Sequence, residues 1–432
     1  MTTTLDLHID PLDAAAAVAH RPGTVLLHAG GGHQRSVLLV EPRWTLQCGR
    51  DGRPSWSGSV PDGAHLGDDP LRWASTLNDA LAPASPHPDV PWLAGVLSFD
   101  AGTAHHGARS PRATPFDVPE VWLAAYDRAL VFEPGRPARL VEHRDDGAAD
   151  SFVDRLRSAA RAPGGGDTGA VEFFGRRWHR DAVRSVREHL LRGDVYQINL
   201  TGFARARTSI DPFEGFRREA RCNPTALGAY LCLDDAAITS HSPELLLRRR
   251  GDRVSTGPIK GTAPAGSDAL LRASEKDRAE HVMIVDLCRN DLGRIARPGS
   301  VRVEPLMAPL HARGLVHLVS EVHARLVPAR RHELLGALFP GGSITGAPKR
   351  RACQVISELE TAARGPYTGA IGAVSPNGDT DWSIAIRTAV WQDGAVHFGT
   401  GGGIVLDSDP DREYEEARLK ARSFFASLGA TV

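Results

Sequence analysis

The stretch ALGAYLCLDDAAITSHSPELLLRRRGDRVSTGPIKGT, Ala226–Thr262, reads as antiparallel strands joined by short turns. Within RRRGDR, Gly251-Asp252 is a two-residue hairpin signal. Counting outward from it, Arg250 faces Arg253 and Glu244 faces Ile259, so Lys260 arrives within one residue of Glu244. In a regular ladder those two side chains point to opposite faces. Pro243 and Pro258 both fall at this spot, and proline cannot donate to a ladder, so a bulge that turns both side chains to one side is expected here. The stretch therefore predicts an antiparallel meander with a carboxyl and an amine as neighbours. Such a pair is either chemically active or an ordinary ion pair at a sheet end.

The amine is itself unusual in this chain. Of the 51 Lys and Arg residues only four are lysines: Lys260, Lys276, Lys349 and Lys420. Arginine keeps its proton under ordinary conditions, whereas lysine loses one when buried or placed beside another cation. A lysine kept against so strong a bias fits a nucleophile or a compact ammonium. A tight turn that excludes a guanidinium, or chance, fits it as well.

Acidic pairs stand near two of these lysines. In ASEKDRAEHVMIVDLCRNDLG, Asp277 and Glu280 are three apart on a predicted helix. In DSDPDREYEEARLKARSFFASLG, Glu413 and Glu416 are three apart and Lys420 is four further on. Asp409 as N-cap and Pro410 in the first turn start that second helix. Positions i, i+3 and i+7 share one helix face. Most such pairs are solvated surface, but two of them beside rare lysines also suit Mg2+, which takes oxygen ligands and often bridges to an anionic substrate. SIAIRTAV is expected as one strand, with Ile384 and Ile386 on one face and Ser383, Ala385 and Arg387 on the other, where the guanidinium suits a carboxylate clamp. FGTGGGIVLDSD is expected to offer backbone N–H groups in a turn. His317, in GLVHLVSEV, falls on a predicted strand, as a packed core histidine or a catalytic one. GGSITGAPK lacks the ending of a P-loop, and GTGGGI lacks dinucleotide-fingerprint spacing.

The remaining features bound the class. Residues 1–145 alternate short apolar runs with Pro and Gly turns, mostly strand with short helices. Residues 146–170 are a linker candidate around RAPGGGDTG, and 171–432 are denser and more regular. The helix DAVRSVREHLLRG should stop at Gly193, and VYQINLTGFARA should follow as a strand. Net charge is -1, which argues against nucleic-acid or membrane-surface binding. The start has no signal-peptide pattern and no apolar run reaches membrane-span length, so a soluble cytoplasmic protein is expected. The five cysteines, Cys48, Cys222, Cys232, Cys288 and Cys353, are odd in number and widely spaced, and read as packing residues.

Taken in order, GDVYQINLT, SPELLL, GPIKGT, KDRAEHVMIVDLCRNDLGRIARPGSVRV, PGGSITGAPKRRA, YTGAIG, SIAIRT and GTGGGIVLDSDPDREYEEARLKA resemble the successive motifs of the chorismate-utilising enzymes. The resemblance implies an α+β fold, with large antiparallel sheets packed as a sandwich and helices outside. It implies Lys260, Glu244 and His317 as catalytic residues. Arg387, Lys420, Tyr367, Gly402, Gly261 and Thr262 would bind substrate, and Glu280, Glu416, Asp277 and Glu413 would hold Mg2+. Members that add water carry a lysine where this chain has Gln197, which argues against isochorismate or salicylate formation. Lys260 in P-I-K-G-T is similar to the branch that makes 4-amino-4-deoxychorismate, whereas anthranilate-forming members usually show alanine there. The resemblance thus implies chorismate and ammonia as substrates, with a covalent lysine intermediate and a glutamine amidotransferase subunit as partner. Anthranilate formation, and a non-catalytic chorismate-binding subunit, are the alternatives. The N-terminal region resembles the family's variable part, where an amino-acid pocket often has serine after L-L-E or L-L-H. Here LLHAGG has Ala29.

Overall fold

The structure, a computed structural model, describes the chain except residues 1, 5–8, 31–34, 60, 61, 63, 145, 146, 148–150, 155–164, 265, 313, 314, 431 and 432. The side chains of residues 2–4, Thr262, Lys276, Asp277, Ala312 and Leu315 also fall outside the description. Most of the linker candidate 146–170 lies among these residues.

Among the described residues, two large antiparallel sheets carry the fold, one of 12 strands and one of 10, with a third sheet of three. Apolar side chains from the facing sides of the large sheets, among them Val37, Leu231 and Val390 from one and Val96, Trp122 and Ile371 from the other, form the middle of the sandwich. The outer face of the 12-stranded sheet is covered by helices Pro11–Ala16, Pro212–Cys222 and Pro410–Ser427. The outer face of the other is covered by Pro70–Leu81, Glu275–Gly293, Leu334–Leu338 and Lys349–Leu359. The α+β sandwich with outer helices is therefore as expected. Strands from residues 1–145 make one end of each large sheet, and strands from 171–432 make the rest.

The meander expected at Ala226–Thr262 is instead shared among three sheets. Leu227–Cys232 and Ala237–Ser242 pair in the 12-stranded sheet, while Leu245–Arg250 and Arg253–Gly257 pair in the 10-stranded one. Ile259–Pro264 then joins the three-stranded sheet beside Leu315–Val319. The chain changes sheet at Pro243 and again at Pro258, the two positions whose missing N–H cannot continue a ladder. Arg250 faces Arg253 as counted, but the register slips between Leu245 and Arg248, so the bulge lies inside the strand rather than at the prolines. A second irregularity falls between Lys260 and Thr262, where Gly261 takes a φ of 74° that suits glycine.

Three other expectations are corrected. SIAIRTAV is not one strand: Thr380–Ile384 belongs to the 10-stranded sheet and Thr388–Gln392 to the 12-stranded one. Between them the chain crosses the sandwich, with Arg387 at the crossing in a left-handed conformation, φ 50°. The run GTGGG is not a turn but part of strand Ala395–Ile404. Its glycines remain in a strand because neighbouring groups occupy the space that side chains would need: a Cβ at Gly399 would stand 2.1 Å from the Tyr367 ring. Four cysteines are buried, but Cys222 is exposed at the end of its helix, so it is not a packing residue.

Candidate active site

The two sheet crossings lie side by side and fix the site. Ile384 N–H donates to Glu244 O at 3.0 Å, and His241 N–H donates to Arg387 O at 3.1 Å. Ser242 Oγ donates to Ile384 O at 2.6 Å while accepting from Glu244 N–H at 3.1 Å. Glu244 and Arg387 therefore stand on a shared, hydrogen-bonded seam between the sheets. The Glu244 side chain is buried, and its Oε1 accepts from Ser343 Oγ at 2.7 Å. Burial raises its pKa to about 7 despite the opposing effects of Ser343, Lys260 and the Ile259 backbone.

Lys260 enters from the three-stranded sheet and is half-buried. A methyl group at Gly403 would stand 2.6 Å from Gln197 Nε2 and 3.6 Å from Lys260 Nζ, so amide and amine lie together over the glycine strand. Strand Gln197–Arg207 pairs with that strand, Asn199 opposite Gly403. Gln197 is fully buried, and neither of its amide atoms has a hydrogen-bond partner among the described residues. Burial lowers the Lys260 pKa; Glu280, Glu244 and Glu416 oppose that effect, and Lys420 adds to it. The acid of one crossing, one carboxylate from each of two distant helices and a second retained lysine are thus close enough to act on the Lys260 amine.

Helix Pro410–Ser427 brings in the next group. Asp409 caps it by accepting from Asp411 N–H at 3.1 Å and Arg412 N–H at 2.9 Å, as the sequence indicates. A Cβ at Gly402 would lie 3.4 Å from Glu413 Oε2 and 3.7 Å from Lys420 Nζ. Ser408 Oγ donates to Glu413 Oε1 at 2.7 Å. Lys420 donates to Gly401 O at 2.9 Å and pairs with Glu416 at 2.8 Å. From the other side, helix Glu275–Gly293 presents half-buried Glu280, while the side chain of Asp277 lies outside the described residues. No preformed cluster of three metal-ligating side chains stands among the described residues. Hard carboxylate oxygens converging from two helices nevertheless fit Mg2+, which commonly takes one or two protein carboxylates and completes its shell with water and substrate.

His317 is buried, and its pKa is lowered by burial and then by Arg387; its ring bonds to the Gly261 backbone. Arg387 has no side-chain hydrogen bond or ion pair within 4 Å among the described residues; burial lowers its pKa, and the Glu219 carboxylate opposes that effect. The Tyr367 ring lies flat against Gly399 of the glycine strand. Gly261 and Thr262 sit at the irregularity opposite His317; the Thr262 side chain is outside the described residues. Two contributors were not singled out from sequence. Ser343 holds Glu244, and fully buried His281, next to Glu280, accepts from or donates to Ser320 Oγ at 2.6 Å and reaches the Lys260 backbone. Neither carried a signal beyond lying in a motif. A separate cavity of about 390 Å3 lies between the sheets and is lined by Leu27, His28, Ala29, Arg248 and Asp381 among others.

The sequence pattern of the family described as chorismate binding enzyme matches residues 24–426. This chain belongs to that family. An aminodeoxychorismate synthase component 1 from Salmonella typhimurium is 36% identical over 420 residues, covering 93% of this chain and 92% of that protein. An anthranilate synthase component 1 from Thermus thermophilus is 36% identical over 385 residues, covering 83% and 82%. The solved anthranilate synthase component I of Streptococcus pneumoniae superposes with a TM-score of 0.80 at 30% identity, covering 90% of this chain and 92% of that one. Family membership thus fits both amination chemistries at this site. No helix among the described residues is long and apolar enough to cross a membrane.

Proposed function

We propose that this chain aminates chorismate with ammonia, at C4, through a covalent bond to Lys260. The supporting observation is the position of the Lys260 amine over Gly403, beside Gln197 and within the electrostatic reach of Glu244 and Glu280. A free lysine is almost wholly protonated at neutral pH, and full activation takes roughly 4 kcal/mol in favour of the neutral amine. Burial works in that direction. The same burial holds the proton on Glu244, where an acid is needed because hydroxide is a poor leaving group.

In this reading Lys260 Nζ forms a bond to C2, both ring double bonds shift by one position, and the C4–O bond breaks as Glu244 gives its proton to the departing hydroxyl, releasing water. Ammonia then bonds to C4, the electrons shift back and the C2–N bond breaks. Lys260 leaves as a neutral amine, and the proton shed by the new ammonium returns to Glu244. Arg387 would hold one substrate carboxylate, with Tyr367, Lys420 and the Gly402 backbone as further substrate contacts, and His317 would lie near the leaving group. Glu280 and Glu416, with Glu413 and Asp277 in support, would hold Mg2+, which when bound neutralises the other substrate carboxylate. Two anchored carboxylates orient the ring, and orientation supplies much of such a rate.

Anthranilate formation is the second reading, and family likeness taken alone favours it: an anthranilate synthase is the solved relative at a TM-score of 0.80, and anthranilate synthases stand among the sequence relatives. The lysine at 260 supports the first reading. Incubating the purified chain with chorismate, an ammonium salt and Mg2+, and reading products by mass, separates them. The expected product retains the enolpyruvyl group and carries one amine. Fluorescent anthranilate formed without a further lyase would overturn the C4 assignment.

A further inference from the structure

Among the described side chains, the third retained lysine lies away from the reacting groups. Lys349 is buried at the first turn of helix Lys349–Leu359. Its Nζ donates to Asp291 Oδ2 at 2.8 Å and to Leu338 O at 3.0 Å. Asp291 is buried too, on helix Glu275–Gly293, the helix that carries Glu280. One ammonium therefore ties together three helices in a low-dielectric interior. A guanidinium is planar and larger, so the general drift to arginine in this chain would not be tolerated there.

The segment between Leu338 and Lys349 explains what the tie could serve. It is FPGGSITGAP, residues 339–348, and it carries Ser343, the hydroxyl that bonds Glu244. A Cβ at Gly342 would stand 2.3 Å from Leu287 Cδ2, so this segment also lies directly on the Glu280 helix. On its other side Asn199 N–H donates to Thr345 O at 2.8 Å and Tyr196 N–H to Ala347 O at 2.7 Å, either side of Gln197. The segment thus touches the acid, the Gln197 strand and the metal-carboxylate helix, and the Lys349–Asp291 pair closes its end.

We infer that Lys349 is a positioning residue: paired with Asp291, it fixes the 339–348 segment to the helix bearing Glu280, and so sets where Ser343 holds Glu244. This inference rests on the reaction proposed above for its kinetic consequence, but not for its structural one.

The test uses Lys349→Met, Lys349→Arg and the double variant Lys349→Met/Asp291→Leu. Removing one partner of a buried pair leaves an uncompensated charge and destabilises, whereas replacing both with apolar groups often restores stability. The double variant is expected to melt close to the native chain yet to show faster amide hydrogen exchange across 341–347. Its kcat should be about 10- to 100-fold lower, with the KM for chorismate changed less than about threefold, because Arg387 and the glycine strand are untouched. Lys349→Arg should not rescue kcat. A double variant with native exchange at 341–347, or with native kcat as well as native melting, would make the pair a stabilising element only. If the native chain forms no aminated product, the proposed reaction falls, and the exchange measurement alone decides the positioning role.

Discussion

In the proposed reaction Lys260 and Glu244 share one proton between them in the reactive state. The neutral pair, carboxylic acid and amine, has the same proton count as the ion pair, so pH cannot select between the two. Burial can, because it disfavours both charges. Adding a proton makes Lys260 a cation that cannot attack, and removing one leaves Glu244 with nothing to donate. The rate at constant free ammonia is therefore expected to be bell-shaped, with a falling limb near the Glu244 value of about 7 and both apparent values belonging to the pair. A rate that climbs steadily from pH 7 to 9 at constant free ammonia would contradict this. Stability carries the opposite signature to an ordinary surface carboxylate. The folded pKa lies above the ordinary 4.5, so the native state binds the extra proton between about 4.5 and 7 and loses stability as pH rises through that window. Glu244→Gln should flatten that slope. At Lys260 itself, Arg keeps the charge but is no efficient nucleophile and should abolish the 4-amino product. Ala should lose the covalent route and open space for ammonia at C2. Intact-protein mass after mixing with chorismate without ammonia reads the adduct, and native-like turnover by Lys260→Arg would reduce the lysine to a cation.

Helices, strands and their crossings place these residues, and they differ in how plainly the sequence announced them. The C-terminal helix was legible to its cap, because Asp409 and Pro410 act through local hydrogen bonding and a fixed φ. Asp409→Ala should lower the denaturant midpoint of the chain, read by denaturant titration. It should also loosen the turn that carries Glu413. Glu280→Gln and Glu416→Gln keep bulk while removing a charged ligand, so each should nearly abolish activity in a folded protein, and full turnover in EDTA would sink the metal assignment. The crossings were much less legible. Pro243 and Pro258 mark where a ladder must fail, yet a proline does not say whether the strand bulges or leaves for another sheet. SIAIRTAV alternates like one strand, while the left-handed conformation of Arg387 belongs to a crossing where the N–H of His241, far away in sequence, donates to the Arg387 carbonyl. The glycine run misled for a related reason. Its glycines answer to Tyr367, Gln197 and Lys260 packing on the strand, which only the folded partners reveal. The site residues themselves were nameable through the family motifs. Their support, Ser343 on Glu244 and His281 behind Lys260, depends on approach geometry that spacing does not encode.

At the scale of the whole molecule, the open question is where the ammonia comes from. The sandwich uses its outer faces for helices and its middle for apolar packing, and the candidate site lies at the seam of the crossings. Hydrolysing glutamine within the same chain would require an activated nucleophile, and thiols are the usual candidates. Cys48, Cys232, Cys288 and Cys353 are buried, and burial raises all four thiols, which keeps them protonated. Cys222 is exposed at the end of its helix, between Arg221 and Asn223 rather than in the Gly-flanked elbow of an amidotransferase nucleophile. The described chain therefore offers no thiol suited to that work. Purified alone, it should turn over chorismate with ammonium salts, faster as pH raises the free ammonia fraction until Glu244 loses its proton, and should leave glutamine untouched. Adding a glutamine amidotransferase subunit should confer glutamine use at neutral pH, where free ammonia is scarce. The measurement is product formation from chorismate with ammonium or glutamine as the sole nitrogen source, with and without the second subunit. Glutamine-dependent turnover by the single purified chain would mean that a nucleophile outside these five cysteines releases the nitrogen.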